Sequence, residues 1–141
     1  MIDGNVLYGE AFCALISSKK EFHLAANCTS PQEARPAIAK EAPDVVLLDL
    51  EHSEQASLDL LRELPSINPR ARAVGMSDSE NRDLIVESMR LGARGFLLKQ
   101  ASSELFLKCL RKVTAGEIWL DGRFAEAVLN AFGSYSPESK T

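Results

Sequence analysis

The chain has 141 residues, a net charge of −4, 45% hydrophobic residues and 26% charged residues, which is typical of one soluble globular domain. The negative charge argues against broad, sequence-independent binding of nucleic acid, because such binding needs a basic face. No apolar stretch approaches the length of a membrane span, and the first residues do not resemble a secretory signal. We therefore expect a cytoplasmic protein that does not bind a membrane. The three cysteines are scattered without a CxxC pair, which favours reduced, buried thiols.

The first forty residues alternate helix and strand patterns. Apolar residues recur at helical spacing from Leu7 to Ile16, and a short strand candidate follows over Phe22–Cys28. Ser30 and Pro31 form a typical helix start, with a capping hydroxyl followed by proline at the first helical position. Pro36 then predicts a delayed start or a kink in that helix, because proline lacks the N–H that a helix interior uses.

The segment PDVVLLDL at positions 43–50 is the most informative of the chain. Its four consecutive aliphatic residues predict a strand that is buried on both faces, as in a parallel sheet. Asp49 follows these residues directly. In open α/β sheets, ligands bind at the carboxyl ends of parallel strands, so Asp49 is either a helix cap or a functional group.

The alternation continues to the C-terminus. Proline and glycine residues and capping side chains bound the predicted elements. These are a helix over Ser57–Leu64 stopped by Pro65 and Pro69, a strand over Arg72–Met76 ending at Ser77, a helix over Asn81–Leu91, a strand over Gly95–Leu98 ending at Lys99, and a helix capped by Ser102 or Ser103. After Gly116 comes an apolar patch, Ile118-Trp119-Leu120, and Asp121 can cap a further helix.

Buried strands that alternate with helices predict an α/β fold with a doubly wound parallel sheet. We expect a main domain over residues 1–116, an extension helix over 117–133, and a linker or disordered tail over 134–141. Apolar residues of the extension can pack on the domain or form an oligomer surface, and the sequence favours neither; they are Trp119, Phe124, Val128 and Phe132.

Three predicted strands end in polar residues, namely Asp49, Ser77 and Lys99. In a parallel sheet these ends meet at one edge, so the three side chains can converge. A carboxylate, a hydroxyl and an ammonium suit acyl-phosphate chemistry: the carboxylate attacks phosphorus while the other two groups stabilise the phosphoryl oxygens. Ser77 alone would suit a helix cap and Lys99 alone a solvated strand end, so the argument rests on their joint occurrence.

The motifs PDVVLLDL, Met76-Ser77, GARGFLLK at 92–99 and AGEIWL at 115–120 resemble the receiver domain of two-component response regulators of the LuxR/NarL (FixJ) type. The opening segment, residues 3–10, is similar to the family's DDHPLxRE sequence. The resemblance implies a flavodoxin-like receiver fold with strand order 2-1-3-4-5 and a signalling module rather than an enzyme.

The resemblance also implies residue roles. Asp49 would be the phosphoacceptor, Ser77 and Lys99 would contact the phosphate, Phe96 would be the switch aromatic, and Asp3, Asp49 and the backbone carbonyl of Glu51 would hold Mg²⁺. By the same resemblance, a histidine kinase supplies the phosphate. Repacking of a face at about residues 81–113 then leads to a homodimer and a transcriptional output.

Several departures from the family pattern limit these expectations. Gly4 replaces the second acid of the family's pair, which predicts weak or absent Mg²⁺ binding. Glu51-His52-Ser53-Glu54 replaces the usual Met-Pro-Gly, and we interpret His52 as a solvated loop histidine. Only Met1 and Ile2 remain for the family's first strand. We therefore expect a truncated product, an unusual closure of the gap by the remaining strands and helices, or a strand or helix donated by a second copy.

The helix-turn-helix domain of the family is absent from this chain, so we expect no direct DNA binding by it. The main hypothesis is a receiver that is phosphorylated on Asp49. A phosphorylation-independent pseudo-receiver, acting as an interaction and dimerisation module, is the alternative. A small phosphatase that uses Asp49 as its nucleophile is a more remote possibility.

Overall fold

A computed structural model describes residues 1–133 of the chain, so the predicted tail at 134–141 lies outside the described residues. The helices and strands alternate along the chain as α1 (Val6–Ser17), α2 (Pro31–Glu41), β1 (Val45–Asp49), α3 (Glu54–Ile67), β2 (Arg72–Ser77), α4 (Arg82–Arg90), β3 (Gly95–Leu98), α5 (Ser103–Thr114), β4 (Trp119–Leu120) and α6 (Gly122–Gly133). Over this range, none of the helices has the length and apolar character needed to cross a membrane.

The four strands form a parallel sheet in the order β1-β2-β3-β4. Leu47 pairs with Val74, Val74 with Gly95, and Gly95 with Trp119. Helices connect the strands and pack on both faces, and the apolar core divides into one cluster on each side of the sheet. This arrangement confirms the predicted α/β class, and it brings the carboxyl ends of the strands to the same edge.

The first three residues take the place of a short central strand. Ile2 forms parallel bridges with Cys28 on one side and Leu48 on the other. Its N–H donates to the carbonyl of Leu47 at 2.8 Å, and its carbonyl accepts from the N–H of Asp49 at 2.9 Å. The strand order 2-1-3-4-5 implied by the resemblance is therefore present, but its first two strands are reduced to single bridges at Ile2 and Cys28. The chain's own first residues lie between Cys28 and β1.

The predicted strand over Phe22–Cys28 was wrong except for Cys28, since residues 22–27 have no regular secondary structure. A strand needs a hydrogen-bonding neighbour along its length, and the segment beside it, Met1–Asp3, reaches back only to Ala26, whose carbonyl accepts from the Met1 amino group at 3.2 Å. Beyond that point a cavity of about 380 Å³ separates residues 22–26 from β1.

The expectations for two helices with internal proline hold only in part. α2 begins at Pro31 without delay, because the Ser30 hydroxyl caps it by accepting from the N–H of Glu33 at 3.2 Å, and Pro36 lies inside the helix. The delayed start was therefore wrong, and the kink that was its alternative stays a prediction. α3 continues through Pro65, so the predicted stop at Pro65 was wrong, but it ends at Ile67 with Asn68 as its C-cap, directly before Pro69, as predicted. Proline costs a helix one hydrogen bond and adds a steric clash; here, burial of the apolar faces of both helices in the core offsets that cost.

The C-terminal helix α6 packs on the domain. Of the two options for its apolar residues, packing on the domain therefore applies to those on its inner face. Phe124 and Val128 are buried and belong to the same core cluster as α4. The rings of Phe124 and Phe96 meet edge to face, with centroids 6.3 Å apart. Leu129 and Phe132 point outward and are exposed.

Candidate functional site

The sheet brings together the three strand-end residues that the sequence singled out. Asp49 ends β1, Ser77 ends β2, and Lys99 directly follows β3. All three are buried, and the N–H of Lys99 donates to the carbonyl of Ser77 at 2.8 Å. The Lys99 ammonium lies 3.5 Å from Asp49 Oδ1, so an opposite charge lies beside the candidate nucleophile.

Asp3 completes a buried charge cluster. Its Oδ2 lies 2.6 Å from the Lys99 ammonium, and its Oδ1 accepts from the N–H of Asn5 at 2.8 Å. The bridges of Ile2 hold Asp3 at this edge, although the residue lies close to the chain start. Two carboxylates therefore share one ammonium in a site from which water is largely excluded, where charge interactions are stronger than at the surface.

Tyr8 positions Lys99 from the α1 side. Its hydroxyl donates to the Lys99 carbonyl at 3.3 Å, and the Lys99 ammonium lies 5.0 Å from the ring centroid. Burial, followed by the negative charges of Asp3, Asp78 and Asp49, raises the pKa of Tyr8 above its ordinary value. The phenol therefore stays protonated at neutral pH, as its donor role requires.

The loop after β1 holds the Asp49 carboxylate in place. Oδ1 accepts from the N–H of Glu51 at 3.2 Å, and Oδ2 accepts from the N–H of His52 at 3.3 Å. The Ser57 hydroxyl donates to the Asp49 carbonyl at 2.9 Å. These bonds orient the carboxylate at the sheet edge, with Oδ1 toward Lys99 and Oδ2 toward His52.

His52 is a site residue that the sequence interpretation missed. Its Nδ1 contacts Asp49 Oδ2 directly and lies 3.8 Å from Asp3 Oδ1, while 45% of its side chain is exposed. The interpretation as a solvated loop histidine is therefore right about its exposed loop position, but it left out the contact with Asp49. A local signal existed, because a residue three positions after Asp49 in a tight turn can fold back onto that carboxylate.

Gly4 explains why the imidazole fits there. A Cβ built on Gly4 would lie 3.3 Å from both Cβ and Cγ of His52, which is tighter than an ordinary van der Waals contact. The ring thus occupies space beside position 4 that a longer side chain would need. The two departures from the family pattern, Gly4 and His52, are neighbours in space.

Glu51 and Ser77 direct their side chains away from the charge cluster. The Glu51 carboxylate accepts from the N–H groups of Asp78 and Ser79 and from the Ser79 hydroxyl. The Ser77 hydroxyl donates to the Ser79 carbonyl at 2.6 Å. The predicted metal contact of Glu51 involves its backbone carbonyl and stays a prediction, and Ser77 must rotate its hydroxyl to reach a phosphoryl group at Asp49.

Phe96 lies fully inside the core and does not line the charge cluster. It packs against Phe124 of α6 and closely over Gly75, where an added Cβ would come within 3.1 Å of the Phe96 ring. The predicted switch role of Phe96 stays a prediction. A rotation of this ring would change its contact with Phe124 of α6.

The residues that could hold a divalent metal are Asp3, Asp49 and His52, each of which offers one ligand atom within 4.8 Å of the others. Mg²⁺ prefers an octahedron of oxygen ligands, supplied by carboxylates, carbonyls and water. Gly4 supplies no carboxylate, and the third ligand is a nitrogen. The cluster fits a divalent cation, but its donor set departs from the all-oxygen set that suits Mg²⁺.

The sequence profile of the response regulator receiver domain matches residues 1–111. The chain belongs to this family. Receiver domains are signalling modules of two-component systems that interact with histidine kinases and bind Mg²⁺ at an acidic site. The resemblance seen in the sequence motifs and the receiver fold that it implied are confirmed.

The chain is similar to two solved receiver structures and to one curated transcriptional regulator. A LuxR-family two-component response regulator from Aurantimonas sp. SI85-9A1 has a TM-score of 0.82 and 17% identity, covering 93% of this chain and 94% of that one. The isolated REC domain of RcsB from Salmonella enterica serovar Typhimurium, solved with the phosphomimetic BeF3⁻, has a TM-score of 0.78 and 12% identity over 90% and 94%. The transcriptional regulatory protein DegU of Brevibacillus brevis is 20% identical over 94% of this chain. The receiver domain spans 56% of DegU.

Proposed function

We propose that this receiver domain accepts a phosphoryl group on Asp49 from a histidine kinase and transmits the signal to a transcriptional output through dimerisation. The observation that carries the proposal is the buried cluster in which Asp49 Oδ1 lies 3.5 Å from the Lys99 ammonium. The related REC domain of RcsB was solved with a phosphomimetic, which supports a phosphoryl site in this fold.

The chemistry follows from the positions of three side chains. Asp49 Oδ1 attacks the phosphorus of a phosphohistidine, so a P–O bond forms as the P–N bond breaks and the leaving imidazole takes up a proton. Lys99 neutralises charge on the phosphoryl oxygens, and the Ser77 hydroxyl turns from the Ser79 carbonyl to donate to one of them. A bound divalent cation supplies further charge neutralisation.

Dimerisation is supported by the apolar surface that the domain presents. α6 covers α4, which belongs to the face expected to mediate the dimer, and its own outer side exposes Leu129 and Phe132. We therefore place the dimer contact on α6. Light scattering of the protein before and after phosphorylation measures its molar mass. An unchanged mass would contradict dimerisation on phosphorylation.

Asp49→Asn tests the phosphoacceptor. After incubation with a small phosphodonor and divalent cation, the wild-type protein should gain the mass of one phosphoryl group, and hydroxylamine should remove it because acyl phosphates react with this nucleophile. The variant should gain nothing. The matched control is Asp83→Asn, which removes an exposed acid in the first turn of α4 and should leave the mass gain intact.

The pseudo-receiver alternative is favoured by one specific contact. His52 Nδ1 already engages Asp49 Oδ2, and Gly4 removes an acid, so the site could keep its fold without accepting phosphate. Absence of any mass gain in the wild-type protein at saturating phosphodonor would overturn the proposal and leave the interaction module as the function.

A further inference from the structure

The structure assigns the cluster of Asp3, Asp49 and His52 to a divalent transition metal of the Co²⁺, Ni²⁺ or Zn²⁺ kind in preference to Mg²⁺. This inference concerns the same site as the proposed function. It rests on donor geometry alone, so its test needs no phosphodonor and its failure is distinguishable from a failure of phosphorylation.

The donor atoms converge on one side of the charge cluster. Lys99 lies 2.6 Å from Asp3 Oδ2 and 3.5 Å from Asp49 Oδ1, which leaves Asp3 Oδ1 and Asp49 Oδ2 facing His52 Nδ1. Each of these oxygens accepts one backbone hydrogen bond, from Asn5 and His52 respectively. A carboxylate oxygen has two lone pairs, so Asp3 Oδ1 keeps one for a metal. The second lone pair of Asp49 Oδ2 faces His52 Nδ1, so a bound metal would replace that direct contact and bridge the two atoms.

The chemistry of the donors sets the preference. Imidazole suits Zn²⁺, Ni²⁺, Co²⁺ and related ions, whereas Mg²⁺ keeps oxygen ligands and several waters. Asp3, Asp49 and His52 supply three ligands of the types that zinc accepts, and open zinc sites likewise use three protein ligands and keep a fourth position free. At this edge of the sheet, that free position is where a phosphoryl oxygen on Asp49 would bind.

The position of the imidazole relative to Gly4 is an independent observation for this ligand set. The ring of His52 lies against position 4, where an added Cβ would be 3.3 Å from its Cβ and Cγ. The side chain of His52 therefore fills space that an acid at position 4 would need, and the third donor of the cluster is an imidazole nitrogen instead of a carboxylate oxygen. The exchange keeps three donors in the cluster but changes their class from all-oxygen to mixed.

Co²⁺ is the probe for this site, since its visible absorption reports nitrogen and oxygen ligands directly. The tag-free protein is titrated with Co²⁺, and Zn²⁺ and Mg²⁺ are then added as competitors. We expect binding of about one Co²⁺ per chain with a ligand-field band, displacement by stoichiometric Zn²⁺, and no displacement by a hundredfold excess of Mg²⁺. Displacement of Co²⁺ by Mg²⁺ at comparable concentration would overturn the assignment.

His52→Gln identifies the ligand, and His23→Gln is its matched control because His23 is the chain's other histidine and is also exposed. Loss of the imidazole should weaken Co²⁺ and Zn²⁺ binding at least about tenfold and leave Mg²⁺ binding unchanged, whereas His23→Gln should bind as the wild type does. Equal affinity of the wild type and His52→Gln, or equal losses in the two variants, would contradict a site at His52.

Gly4→Asp provides a second test that does not remove a contact. The new carboxylate adds an oxygen donor and crowds the His52 ring, so we expect Mg²⁺ affinity to rise and the ratio of Co²⁺ to Mg²⁺ affinity to fall. An unchanged ratio would show that position 4 and the imidazole do not compete for the metal.

Discussion

At the scale of single residues, Lys99 holds the site together. Its ammonium is buried and lies within ion-pairing distance of both Asp3 and Asp49, which are buried as well. Removing one partner of a buried ion pair leaves charge without compensation, which costs far more than losing a surface pair. Tyr8 adds a cation–π contact to the same ammonium. The functional cluster is therefore also a structural element of the sheet edge.

Lys99→Met should lower the free energy of unfolding by about 3 kcal/mol, because two buried carboxylates lose their counter-charge. Urea denaturation followed by circular dichroism measures the loss. The control is Lys112→Met, which removes an exposed ammonium 3.7 Å from Glu117, and it should change stability by less than about 0.5 kcal/mol. Equal effects of the two variants would show that the buried cluster does not stabilise the fold.

At the scale of secondary-structure elements, α6 is part of the core. Phe124 lies against Phe96 and is 1% exposed, and Arg123 pairs with Glu80 at 2.7 Å near the start of the helix. An amphipathic helix is stabilised mainly by the burial of its apolar face. The contact between Phe124 and Phe96 therefore joins α6 to β3 through the core.

Phe124→Ala should destabilise the protein by about 3–5 kcal/mol, since it removes a buried ring and leaves a cavity against Phe96. Thermal unfolding is the measurement. Phe132→Ala provides the control on the same helix, because Phe132 is 43% exposed, and its cost should stay below about 1 kcal/mol. A similar loss from both substitutions would mean that the packing of Phe124 does not hold α6 on the domain.

At the scale of the whole molecule, the sheet has a gap between residues 22–26 and β1, at the end opposite the functional edge. Met1 lies at the opening of the cavity of about 380 Å³, and burial lowers the pKa of its amino group. The Leu47 carbonyl accepts from Ile2; since the N–H of a strand residue points to the same side as its carbonyl, the Leu47 N–H faces the cavity. The same alternation directs the Val45 carbonyl there.

Adding Val-Ile before Met1 should raise the free energy of unfolding by about 1–2 kcal/mol. The new backbone can pair with Leu47 and Val45, and the new side chains bury apolar surface in the cavity, which outweighs the cost of ordering two residues. A Gly-Ser extension of the same length is the control, since it also moves the amino group but brings no apolar side chain. Equal melting temperatures for the two extended proteins would contradict a strand site.

Much of the fold and part of the site were predictable from the sequence. Runs of aliphatic residues, helical spacing and capping residues such as Ser30 and Ser102 are local signals, and the structure confirms both caps. The placement of Asp49, Ser77 and Lys99 at one edge of the sheet was also predictable, because parallel strands end at one edge whatever their separation in sequence.

The sequence by itself thus determined the receiver fold and the strand-end residues, because hydrophobic periodicity and the ends of strands can be recognised from short stretches of neighbouring residues. Only the tertiary structure decided the ion pair between Asp3 and Lys99, the imidazole beside Gly4, and the packing of α6 on the domain. Each of these depends on distances between segments far apart in the chain or on the path of a loop, which local patterns do not specify. The metal preference that we infer also depends on the tertiary structure, because it follows from the position of His52 beside Asp3 and Asp49 and not from local sequence patterns.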